Sequence, residues 1–156
     1  DLLDSINWNE DGYRLFEISS LAGSSSDGFF LPIAESSCFF LKKENFLQLR
    51  GFDEQFCTVG GGLVNLDMYK RACELPCINL IIVLGEGTFH QVHGGVMTNA
   101  PIDKRSSLFH EFEQEYLSIR NEFYKRPAIV PDYIGHVPVS MLNFMNNSID
   151  SALNYK

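Results

Sequence analysis

Ile78-Asn-Leu-Ile-Ile-Val-Leu84, running into Gly85-Glu-Gly-Thr-Phe-His-Gln-Val-His-Gly-Gly95, is the stretch that decides the fold. A continuous run of β-branched and aliphatic residues suits a central strand covered on both faces. Where the run ends, glycines let backbone or ligand approach closely, and imidazole is the commonest protein metal ligand. Glu86, His90 and His93 are thus delivered together at the end of a strand. That arrangement has the form of the rim of a site.

Upstream, Leu63, Leu66, Tyr69/Lys70 and Cys73 recur at helical spacing, which predicts a helix from about residue 63 to 75, stopped by Pro76. Residues 43–49 read as a short helix ended by Gly51, residues 13–19 alternate as a strand, residues 23–28 form a Gly/Ser loop, and residues 38–41 read as a buried strand. Strands alternating with helices argue for α/β layering. Downstream, Leu108, Phe112, Tyr116, Ile119 and Phe123 lay an apolar stripe along a long helix over 104–125, and Leu142, Met145, Ile149 and Leu153 mark a final helix from Val139. The expected organisation is an α/β domain over residues 1–100 followed by a helical extension over 101–156.

The chain of 156 residues is long enough for one sizeable core, and its 20 acidic against 12 basic residues leave a net charge of −8. That charge repels nucleic acid and anionic lipid, and the densest basic runs, Lys42-Lys43 and Lys70-Arg71, are two residues each, so no nucleic-acid partner is expected. No apolar run approaches the roughly 20 residues of a membrane span. Cys38, Cys57, Cys73 and Cys77 follow no regular framework and read as reduced core thiols of a cytoplasmic protein; Cys73 and Cys77 with His90 and His93 have only a loose zinc-site spacing. The chain opens at Asp1 in what reads as the end of a helix, as an excised piece of a longer polypeptide would.

Gly51-Phe-Asp-Glu54, Gly60-Gly-Gly62, Asn65-Leu-Asp-Met-Tyr-Lys-Arg71, and then the strand with His90 and His93, form an ordered series. In that order, over about residues 29–99, the chain resembles the C-terminal, acceptor-side half of a GT-A nucleotide-sugar glycosyltransferase in the broad family-2 group. The resemblance implies a partial GT-A layered sheet with helices and then a helical extension. It also implies transfer of a sugar from a nucleotide-sugar donor to the hydroxyl of a glycan or other acceptor. Mn²⁺ or Mg²⁺ would neutralise charge developing on the leaving diphosphate. By the same resemblance one metal ligand is a histidine, His93 or His90, with His93 favoured because Gly94-Gly95 beside it permits close approach.

Asp67 is the acidic candidate, as general base or as a carboxylate that orients the acceptor. Asn65 stands where inverting members carry their base, and an amide cannot take the proton. The segment also resembles the E-N-x-E series of retaining polypeptide N-acetylgalactosaminyl transferases, with Asn65, Leu66, Asp67 and Arg71 in register and Val64 in place of the first Glu. The stereochemical outcome stays open. By the resemblance, Glu35 and Ser36 fall at a turn near the donor sugar, Asp53, followed by Glu54, serves the acceptor side or the loop, Gly61 and Gly62 belong to the glycine-rich loop, and Glu86, between glycines, either binds sugar hydroxyls, holds an imidazole tautomer or is a turn residue. Trp8 reads either as a sugar-stacking ring or as buried core.

The sequence contains no D-x-D metal motif and no glycine-rich phosphate loop of the dinucleotide or P-loop kind. The family carries its nucleotide-binding strands and D-x-D in the N-terminal half, so these residues are expected to have little or no activity alone. The missing half of the parent chain would be a partner, and the C-terminal helices would wrap it or make a homodimer. Two rival readings are a non-catalytic carbohydrate-binding or scaffolding module and a small metallohydrolase using His90 and His93.

Overall fold

The computed structural model describes residues 2–31, 38–90 and 102–155. The chain forms two compact units: one gathers Asp1–Glu35, Asn79–Phe89 and Ala128–Lys156, the other Ser36–Ile78 and His90–Pro127. Each unit draws on sequence from both sides of residue 100. In chain order the elements are α1 (Leu2–Ser5), α2 (Lys43–Gln48), α3 (Val64–Cys73), β1 (Ile81–Leu84), α4 (Ile102–Arg120), β2 (Asp132–Gly135) and α5 (Leu142–Asn154), with short 3-10 turns between them. Helices with a small parallel sheet make this an α/β chain.

In the first unit β1 and β2 pair in parallel, with Ile81 opposite Asp132 and Leu84 opposite Gly135. The apolar run from Ile78 becomes strand only from Ile81, and of its residues Ile82 is buried while Ile81 and Val83 are half exposed. It is therefore covered on one face rather than two. Residues 13–19 are not a strand: Gly12–Glu17 is a 3-10 turn in which the Asp11 carboxylate accepts the Tyr13 N–H at 3.0 Å. A local side-chain cap competes with the extended backbone a ladder would need. The turn buries Phe16, whose ring meets Phe89 at 4.7 Å and Phe144 of α5 at 5.7 Å.

The inner face of α5 also buries Ser148 against Gly28, where any Cβ would overlap the serine side chain. The stripe read from the sequence points elsewhere: Leu142 and Ile149 are exposed, and Leu153 is 78% exposed.

The core of the second unit is Phe56, Leu63, Phe112 and Tyr116, which ties α3 to α4. Helix α4 ends at Arg120 rather than near residue 125 because Asn121 adopts φ 58°, the left-handed geometry that closes helices. Residues 38–41, expected as a buried strand, form no regular element.

The expectation of core cysteines is also corrected. Cys38, Cys57 and Cys77 are exposed, and only Cys73 is partly covered. Burial pushes the Cys73 thiol above its ordinary 9.0 and the Tyr124 phenol up to about 12. Both ionise more readily in the unfolded chain, so the stability they lend is complete below pH 9.0 and is lost as pH rises through the folded values. Thermal unfolding followed between pH 7 and 11 is expected to show a flat midpoint that falls above about pH 9. A thiol-reactive disulfide at pH 8 is expected to label three cysteines promptly and Cys73 slowly.

Candidate functional site

Asp67 lies in the first turn of α3 and is fully buried. Its Oδ1 accepts a hydrogen bond from Arg120 Nε at 2.7 Å, and its Oδ2 accepts from Arg120 Nη2 and Arg71 Nε, both at 2.8 Å. The carboxylate thus answers two guanidiniums, which is how a buried charge is tolerated. Arg71 stands four residues along the same helix, on the same face. Arg120 is the last residue of α4 and comes from far along the chain.

The two arginines carry the network outward. Arg71 Nη1 donates to the Leu49 carbonyl at 2.8 Å, and its Nη2 donates to the Gly51 carbonyl at 2.9 Å. Those carbonyls lie just past the end of α2, where the chain turns through Gly51 at φ 70° and where a cation is electrostatically favoured. Arg120 Nη2 also donates to Asp53 Oδ2 at 2.8 Å, while the Gln55 N–H donates to Asp53 Oδ1 at 3.0 Å. The Gln55 N–H, and then Arg120, hold the Asp53 carboxyl below its ordinary value. The hydrogen bonds that Arg120 donates to Asp67, and then to Asp53, push its guanidinium further up. Gly51, Asp53, Asp67 and Arg71, all in the ordered sequence series, are therefore joined directly through two arginines.

The glycine-rich loop has its own anchor. Gly60, Gly61 and Gly62 all take positive φ, at 73°, 83° and 52°. Glu115 of α4 accepts the N–H groups of Cys57 and Thr58 at 2.7 and 2.8 Å and the Thr58 hydroxyl at 2.6 Å. A Cβ on Gly62 would strike that same Thr58 hydroxyl and Glu115 carboxylate. The loop keeps glycine both for its backbone geometry and for this close approach.

Of the other candidates in the second unit, Asn65 and Glu54 take no part in the hydrogen bonds to Asp67. Asn65 is exposed, because residues two apart on a helix face different ways; it and Asp67 cannot address one substrate atom from α3. Glu54 is exposed beside Asp53, and His90 is exposed in the second unit. Glu86 lies in the first unit, where its Oε1 accepts the Tyr13 hydroxyl at 2.5 Å. Trp8, which the sequence left between stacking and burial, is 44% exposed. Glu35, Ser36 and His93 lie outside the described residues. Among the described residues no group of three or more His, Cys, Asp or Glu side chains is placed to hold a metal ion.

Sequence reading passed over Arg120, Glu115 and Tyr13. Arg71 carried a signal, its i+4 spacing from Asp67. Nothing local marks a contact made across fifty residues.

Among the described residues no helix is long and apolar enough to cross a membrane. Comparison of the chain with protein-family models, with curated proteins and with solved structures finds no match.

Proposed function

We infer that the chain is the acceptor-side part of a metal-dependent GT-A-type glycosyltransferase, moving a sugar from a nucleotide-sugar donor to the hydroxyl of a glycan or other acceptor. The observation that carries this reading is the direct linkage of the ordered series: Arg71 on the Gly51 carbonyl, and Arg120 on both Asp53 and Asp67. Segments that recur in a fixed order in a family gain a physical reason for doing so when they hold one another. In this reading Asp67 is a positioning residue. The exposed groups of the same series, Asn65 and Glu54, with the Gly60–Gly62 loop, are left to meet substrate.

The nucleotide and the acidic metal ligands would come from sequence outside these 156 residues, since no D-x-D lies within them. The exposed imidazole of His90 is chemically suited to give Mn²⁺ or Mg²⁺ one ligand, and such a cation would neutralise charge on the leaving diphosphate. Four free thiols suit a reducing, cytoplasmic compartment. The outward stripe Leu142, Ile149 and Leu153 would pack on the rest of the parent chain or on a second copy.

The test is Mn²⁺-dependent release of nucleoside diphosphate from a panel of nucleotide sugars by the polypeptide extended upstream of Asp1, with His90→Ala and His93→Ala beside it. Turnover that vanishes with one histidine is expected. No turnover with any donor, from a folded protein, overturns the transferase. One observation favours a second reading, a non-catalytic carbohydrate-binding module: both oxygens of the Asp67 carboxylate are engaged by arginines. Glycan binding with no turnover would select it.

A further inference from the structure

We propose that the first unit carries a binding cleft for a neutral oligosaccharide, walled by Tyr13 and the Pro138-Val139-Ser140 segment; the assignment of its occupant as an acceptor rests on the transferase reading above. A cavity of about 550 Å³ opens here, within the ~300–1,000 Å³ usual for small-molecule sites. Its lining lies wholly in the first unit. It therefore does not depend on the Asp67 network.

Charge selects the class of occupant. The lining holds Glu10, Asp11 and Glu17 against Arg14 alone, which disfavours phosphate and therefore the nucleotide of a donor. What remains is a chemistry of planar hydrogen-bonding groups, the carboxylates, the Arg14 guanidinium and the Asn7 amide, together with the Ser140 hydroxyl. Such groups address vicinal hydroxyls in pairs, accepting from one and donating to the next. The apolar wall complements the C–H face of a sugar ring: Tyr13 supplies an aromatic face, and beside Pro138 the Val139 side chain is 84% exposed.

The wall is also held in place. The Tyr13 hydroxyl donates to Glu86 at 2.5 Å, its N–H is bound by Asp11, its ring stacks on Phe16 at 6.4 Å, and His136 meets it edge-on at 6.0 Å. Glu86 and His136 follow closely on the carboxyl ends of β1 and β2, the edge of a parallel sheet where ligands are usually received. A ring fixed before binding loses little freedom on contact.

The experiment titrates the protein with neutral di- and trisaccharides of gluco, galacto and manno configuration by ligand-observed NMR and calorimetry, with spermidine and a lysine-rich peptide as cationic comparators. Tyr13→Ala and Glu10→Ala are measured in parallel; Glu10 is exposed, so its loss leaves the fold intact. At least one saccharide should bind, roughly tenfold more weakly to each variant, as loss of a ring contact or a charged acceptor entails. Saccharide binding untouched by both variants, no saccharide binding, or binding of the cations alone overturns the site. Turnover of nucleotide sugars, measured on the polypeptide extended upstream of Asp1 and on its Tyr13→Ala variant, separates the two claims. Saccharide binding at Tyr13 without turnover removes the transferase and keeps the cleft, and turnover without binding at Tyr13 does the reverse.

Discussion

Asp67→Ala is expected to destabilise the second unit by about 3 kcal/mol, the lower part of the range for breaking a buried charge network, and to lower the midpoint of thermal unfolding by roughly 10 °C. The carboxylate is fully buried and answers two guanidiniums whose own side chains are 23% and 24% exposed. Removing it leaves the two guanidiniums facing each other with the Asp53 carboxylate, on Arg120, as their remaining counter-charge. Their partial contact with water keeps the loss from reaching the upper end. Asp67→Asn should fall between wild type and alanine, since an amide keeps one acceptor oxygen and turns a donor toward an arginine. The damage should spread along the network, because Arg71 also holds the carbonyls of Leu49 and Gly51, and Arg120 also holds Asp53. Differential scanning calorimetry of the two variants against wild type checks both the size and the order.

Gly85→Ala should cost the first unit a similar amount, about 3 kcal/mol, for a different reason. Gly85 ends β1 at φ 81°, a conformation that costs an L residue ~1–2 kcal/mol. Its Cβ would also fall inside the carbonyl group of His136, which follows β2 directly. The obstacle is backbone, so no rotamer change relieves it. Gly12→Ala is the matched control: nothing lies within 4 Å of the Cβ it would add, and a change within ~0.5 kcal/mol is expected. Urea titration of both variants makes the comparison. Equal stability of Gly85→Ala and Gly12→Ala would mean that the two strand ends are not pressed together.

What the sequence announced and what it hid follow from the range of the interactions. Helix α3 was legible because Leu63, Leu66, Tyr69 and Cys73 repeat at its own period, and α2 because Gly51 marks its end. Strand β1 was legible from its aliphatic run, but its partner, Asp132 to Gly135, carries no such run and exists only through pairing. The turn over residues 12–17 was misread as a strand because alternation is cheap to find in six residues, whereas the Asp11 cap that decides the matter is a single hydrogen bond. For α5 the periodicity located the helix but carried no sign of the face that packs within the first unit. Small residues, Ser148 against Gly28, make the close contact, and the larger aliphatics face out.

The candidate site divides in the same way. Asp67, Asp53, Gly51 and Arg71 were all picked out by their order in sequence, and they do assemble. Their assembly, however, is completed by Arg120 on α4, which lies beyond the segment the series covers. Order along the chain singled out the residues, while their chemistry as a salt-bridged hub depended on a helix that no local pattern connects to them.

The measurement that tests this account most directly is a double-mutant cycle on Asp67 and Arg120, using unfolding free energies of Asp67→Ala, Arg120→Ala and the pair. If the carboxylate binds the motif segments into one piece through Arg120, the two losses should overlap, with a coupling of about 2 kcal/mol. Losses that add to within ~0.5 kcal/mol would contradict it, because the two residues would then stabilise the chain independently.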